Sequence, residues 1–172
     1  QCETVMAYAG AATDKLFSAN SGGRIYNITS GGNIGAADVS GLTNGRFQYV
    51  NVATTGGKYL MAVNGADKAQ VYTGSAWAKD GDGSPYNITV ADSSTWIYIT
   101  LHKNRVWAVQ KNTLIAWYLP TGAIGGAAAK LDLSAFAQRG GFLVAVCTWT
   151  VDAGYGMDDL LAFITDHGEV IV

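Results

Sequence analysis

Short apolar runs recur in a fixed order along this chain, and that order limits its possible folds more than any other feature. Each unit opens on a strand-like run, at residues 4–8, 47–52, 96–101 and 142–149. A second run follows at 15–19, 59–63, 105–109 and 160–164. A polar turn comes next (20–23, 64–67, 110–112, 166–168), and a third run at 24–28, 69–72, 114–118 and 169–171 closes the hairpin. The runs are rich in Val, Ile, Thr, Tyr and Trp and are bounded by Gly, Asn, Ser and Asp, which predicts an all-β chain. The middle runs are anchored at Leu16, Leu60, Val106 and Leu161, roughly 44, 46 and 55 residues apart, close to the period of a four-stranded propeller blade.

Burial explains why such a unit repeats. A single small sheet has two faces and cannot cover both, so neighbouring sheets stack face to face. The expected architecture is a β-propeller-like repeat of antiparallel sheets, with approximate units 1–41, 42–91, 92–138 and 139–172. Fourth strands are expected at 75–78 and 86–90, and the last unit lacks its outer strand. Three to four blades are visible, so a complete propeller needs more sequence or a partner. An open β-meander or a sandwich fits the same spacing. Helical pattern is confined to 126–130 and to 134–139, the latter capped by Ser134 and stopped by Gly140-Gly141.

Composition agrees with stacked sheets. Of 172 residues only 14% are charged while 49% are hydrophobic, and the net charge is -2, against about 25% charged residues in ordinary domains. Disorder, charge-rich coiled coils and basic nucleic-acid binders are thereby set aside. The longest strongly apolar stretch, 142–146, has strand length, well short of the roughly 18 residues of a membrane-spanning helix. The start, Gln1-Cys2-Glu3-Thr4, lacks a signal-peptide pattern and an initiator Met. The last four residues read as mid-strand, and the chain is expected to be a fragment of a longer protein.

Candidate chemistry is sparse. Cys147, inside a strand-like run, is expected to be a reduced, buried small hydrophobe, and a Cys2–Cys147 bridge is the lesser alternative. The sequons at Asn27 and Asn87 read as ordinary polar positions. Asp80-Gly81-Asp82-Gly83-Ser84 resembles part of a calcium loop but lacks its closing glutamate, so it reads as an acidic turn before Pro85. Asp152, Asp158 and Asp159 could form a glycosidase pair. Asp158 and Asp159 are adjacent, however, and would point to opposite faces of a strand. The stretch 151–159 reads instead as a solvated loop whose carboxylates bind local backbone. His102 and His167 read as turn histidines, a Cys147–His102 nucleophile pair being the sharper alternative. Arg24, Lys58, Lys103, Arg105 and Lys111 form at most a weak basic rim. Tyr26, Tyr72 and Trp117 occupy equivalent positions and are expected to pack between sheets, although exposed aromatics could also make a sugar platform. No catalytic, cofactor-binding or metal-binding residue is assigned.

The segment 105–128, with Arg105-Val106-Trp107-Ala108-Val109, Leu114-Ile115-Ala116-Trp117-Tyr118 and Gly125-Gly126, resembles the β-propeller proteins of tailed-phage virions. So do Trp149-Thr150-Val151-Asp152, the run 156–165, the end 168–172 and Gly22-Gly23-Arg24-Ile25-Tyr26. The nearest likeness is to the tail-nozzle or packaged-DNA-stabilisation proteins of short-tailed phages. This resemblance implies a non-enzymatic structural subunit, a homo-oligomeric ring with other virion subunits, and at most passive contact with DNA. It also implies no cofactor, no membrane association and a place in the virion after assembly in the host cytoplasm. Alternatives are a carbohydrate- or receptor-binding propeller and a propeller glycosidase.

Overall fold

The computed structural model describes residues 1–152 and 157–172. The fold is all-β. The first sheet joins β1 (Cys2–Tyr8), β2 (Lys15–Asn20) and β3 (Arg24–Asn27) in that order. The second joins β4 (Gln48–Thr54), β5 (Gly57–Val63), β6 (Gln70–Tyr72) and β7 (Trp77–Lys79). A short strand β8 (Ile88–Thr89) and a single 3-10 turn at Ser93–Thr95 lead to the third sheet. That sheet runs β9 (Trp96–His102), β10 (Arg105–Gln110), β11 (Ile115–Tyr118) and then β13 (Ala129–Asp132). Between its last two strands, β12 (Gly126–Ala127) pairs in parallel with β8. The fourth sheet joins β14 (Leu143–Asp152), β15 (Met157–Thr165) and β16 (Val170–Ile171). Pairing within all four larger sheets is antiparallel, and no barrel closes among the described residues. No helix among them is long and apolar enough to cross a membrane.

Local chemistry accounts for the turns. Lys103 and Asn104 alone separate β9 from β10 and both have positive φ, 47° and 57°, as a two-residue turn matched to strand twist requires. Gly23 closes the β2–β3 turn at φ 66°, with the backbone of Leu42 packed where a Cβ would stand. At the equivalent turn of the second sheet, Asn64 Oδ1 accepts the N–H groups of Ala66 and Asp67.

Three clusters bind the sheets in sequence order. Met6, Phe17, Ala19 and Ile25 of the first sheet meet Leu60, Ala62 and Tyr72 of the second. Met61, Val63 and Val71 of the second meet Val106 and Ala108 of the third. Val109 and Ala116 of the third meet Val146 and Phe163 of the fourth. The opening strands also converge, β4 against β9 and β9 against β14. Strand alternation assigns each middle strand two faces. Leu60, Val106 and Leu161 face the preceding sheet, whereas Met61 and Val109 face the following one and Ala162 lies on the outward face of the fourth.

Several local expectations change. Residues 126–130 are not helical but carry β12 and the start of β13, because β11 offers a free edge that β13 pairs. Residues 134–139 form turns rather than a capped helix. The hydroxyl and N–H of Ser134 both donate to Asp132 Oδ1, so Asp132 is the residue that caps the segment. The strand within 86–90 is β8, which pairs with β12 and not with the second sheet. The first sheet gains only an isolated fourth-strand bridge, Ile25 to Val39.

Candidate functional site

The turns between the first and second strands of the sheets lie at one end of the stack, and a groove opens there at each junction. One of about 390 Å³ lies between the third and fourth sheets and is lined by His102, Lys103, Arg105, Trp107, Thr121 and Leu161. Alternation along β10 puts Arg105 and Trp107 on the face turned to the fourth sheet, and pairing sets Tyr118 of β11 beside Trp107. The Trp107 and Tyr118 rings are 4.6 Å apart with a 37° tilt. The Arg105 guanidinium stacks 4.9 Å from the Tyr118 centroid and donates to Thr121 Oγ1 at 2.9 Å. Such a guanidinium–aromatic ladder offers a flat apolar surface with polar groups at its rim.

His102, the last residue of β9, is buried and not a turn histidine. Strand register brings it to the fourth sheet, where its Nδ1 lies 3.1 Å from Thr148 Oγ1. Burial holds its imidazole below the ordinary value and the Lys103 ammonium adds to this, while the Asp159 carboxylate opposes both.

Of the stretch expected as a loop, 151–159, residues 153–156 and the Asp152 side chain lie outside the described residues, while Val151 and Asp152 end β14 and Met157, Asp158 and Asp159 open β15. Asp158 pairs with Val151 on the outward face, whereas Asp159 pairs with Thr150 on the face turned to the third sheet. Asp159 Oδ1 accepts the Thr150 hydroxyl at 2.6 Å, a cross-strand partner rather than local backbone. Cys147 is half-buried on the outward face, not sealed in a core, and His102 approaches the opposite face of that strand, so the two do not pair. Cys2 and Cys147 are both free thiols.

Asp80 departs furthest from the surface turn expected of it. Its side chain is buried and accepts the Ile88 N–H and the Ser93 hydroxyl, each at 2.7 Å, with Lys68 Nζ at 3.5 Å. It ties the segment after the second sheet to the start of the third. Asp82 accepts the Lys79 N–H. Among the described residues no group of three or more His, Cys, Asp or Glu is placed to hold a metal ion. His167 stays in its turn, with Nδ1 2.8 Å from the Arg139 carbonyl oxygen.

The basic rim is not continuous. Lys58, Lys103 and Arg105 lie at the groove end, while Arg24 and Lys111 lie at the other, beside the turns between second and third strands. Lys58 and Lys111 donate to the carbonyls of Gly10 and Gly65. The three repeat aromatics separate instructively. Tyr72 is buried against the first sheet and Trp117 packs into the cluster between the second and third. Tyr26 pairs with Ser18 on the outward face of the first sheet, which has no preceding neighbour.

The outward faces of the first and fourth sheets also carry exposed apolar side chains. On the first sheet, Val5 is 49% exposed and Leu16 37%. On the fourth, Trp149 is 52% exposed, Leu160 40% and Val170 57%. Comparison with known proteins returned no matching family model, no matching curated relative and no matching solved structure.

Proposed function

We propose that this chain is a structural subunit of a tailed-phage virion, a tail, nozzle or head–tail assembly component without catalytic activity of its own. In this reading the four sheets are blades of a propeller-like stack that packs against other virion subunits. The observation that supports it most strongly is the pair of apolar end faces. Side chains that occupy core positions in the inner sheets stand in solvent on the outer ones. Exposed apolar side chains grouped on one sheet face suit an association surface, and low charge suits permanent contacts. The test is quantitative mass spectrometry of intact virions from a phage whose genome encodes the chain. A stoichiometric, integral signal is expected. Absence from purified particles, or a genomic setting without phage genes, overturns the reading.

A second reading has its own observation. The Arg105–Tyr118–Trp107 ladder beside Thr121 presents a flat aromatic surface with hydroxyl and guanidinium donors, the chemistry that recognises a sugar ring. A glycan array is its test, and an absence of binding above background removes it.

A further inference from the structure

We propose that the groove between the third and fourth sheets takes an acidic sugar of the uronate class, with Arg105 and Lys103 selecting it by its carboxylate. The proposal rests on the sugar-binding reading of this groove. It adds a preference among sugars, which an aromatic ladder alone does not supply.

The groove is built around one tight turn. His102 ends β9 and stands opposite Arg105 at the start of β10, with only Lys103 and Asn104 between them. Both turn residues have positive φ, so β10 doubles back at once and His102, Lys103 and Arg105 are brought together. The segment after β11 returns to the same turn, where the Gly122 N–H donates to the Asn104 carbonyl at 2.7 Å. Thr121 is thereby set beside Arg105. The guanidinium donates to the Thr121 hydroxyl at 2.9 Å, and its central carbon lies 4.9 Å from the Tyr118 centroid. A guanidinium held by a stack and one hydrogen bond keeps its other N–H groups in a fixed plane, the fork that matches a carboxylate.

The charge balance favours one anionic group. None of the described residues that line the groove is acidic. Among the described residues, neither Lys103 nor Arg105 lies within ion-pair reach of a carboxylate. Burial favours the neutral ring of His102, so Lys103 and Arg105 carry the positive charge. The Asp159 carboxylate acts on His102 and accepts the Thr150 hydroxyl, but does not line the groove. Two cations against that one acid leave room for a single carboxylate, whereas a phosphate dianion would be repelled more strongly by Asp159. Trp107 and Leu161 supply the apolar wall that the C–H face of a sugar ring requires.

The experiment follows the Trp107 indole N–H by proton–nitrogen NMR of the 172-residue chain, the peak being assigned by its loss in Trp107→Phe. The chain is titrated with methyl glucuronide, methyl glucoside and uridine monophosphate. Methyl glucuronide should shift the peak saturably, and methyl glucoside should bind about tenfold more weakly. Raising the salt from about 0.05 to about 0.5 M should weaken the glucuronide severalfold and leave the glucoside unchanged. Arg105→Gln and Lys103→Gln should each reduce the preference for the glucuronide. Lys103 stands exposed in its turn, so its variant decides the matter should Arg105→Gln lose the β circular-dichroism spectrum. Equal binding of the two sugars overturns the proposal and leaves the sugar reading standing. No shift with either sugar up to about 50 mM overturns both. Tighter binding of uridine monophosphate shows a phosphate site, and an unchanged preference in the folded variants shows that the two cations do not select; either result also overturns the proposal.

Discussion

Leu60→Ala and Leu16→Ala make the same chemical change at equivalent points of the repeat, in surroundings that differ by one neighbouring sheet. Leu60 is 0% exposed and belongs to the cluster between the first and second sheets, whereas Leu16 is 37% exposed. Truncating a fully buried leucine removes transfer free energy and leaves a cavity, about 3 kcal/mol in a core that relaxes little. Leu16 loses contact on one side only, and water fills the space, so its loss should be about 1 kcal/mol. With a urea slope of about 2 kcal/mol/M, the midpoints should fall by about 1.5 M and 0.5 M. The assay is equilibrium unfolding followed by tryptophan fluorescence at low micromolar protein, with a common slope across variants as the condition for comparison. Equal losses at the two positions would refute the reasoning, because the outward face of the first sheet would then be covered within a single chain.

Asp80→Ala should destabilise by about 3 kcal/mol. It leaves the Ile88 N–H and Ser93 hydroxyl unpaired in a buried place and strips Lys68 of a partner. Asp80→Asn, which retains an acceptor for the Ile88 N–H, should lose less, and the same unfolding assay ranks the two. His102 gives a pH signature. Its imidazole titrates below its ordinary value in the folded chain, chiefly through burial, with Lys103 adding and Asp159 opposing. The unfolded chain therefore binds the proton first as pH falls. This contribution to stability is full above about pH 6.5 and declines as the pH drops below it toward the folded value. His102→Gln, which keeps a hydrogen-bonding group beside Thr148, should flatten the slope of unfolding midpoint against pH between about 7 and 5; an unchanged slope refutes the assignment.

How much of this was legible in the sequence depends on what each feature draws on. Leu16, Leu60, Val106 and Leu161 could be aligned because a strand repeats every two residues and a turn must follow, both of them local constraints. What those anchors share, the side of the sheet they face, is also encoded in that alternation, but whether a neighbour covers that side is not. Tyr26, Tyr72 and Trp117 look alike in sequence for this reason, and only their place in the stack separates the two that pack between sheets from the one that is left outside. The errors have the same origin. Residues 126–130 are small and apolar enough for helix, and the free edge of β11, which decides the matter, is contributed by residues earlier in the chain. Asp80 looked like a surface turn because its ligands, Ile88 and Ser93, carry no acid-binding signature; one is a backbone N–H that any residue supplies. The groove has a related cause, since His102 and Arg105 of the third sheet come to face Leu161 and Thr148 of the fourth only once the two sheets stack. Local alternation thus specifies each sheet and its two faces. Which of those faces is buried is settled at the junctions, where one sheet's face becomes the next one's surroundings, as the equivalent positions Leu60 at 0% and Leu16 at 37% exposure show.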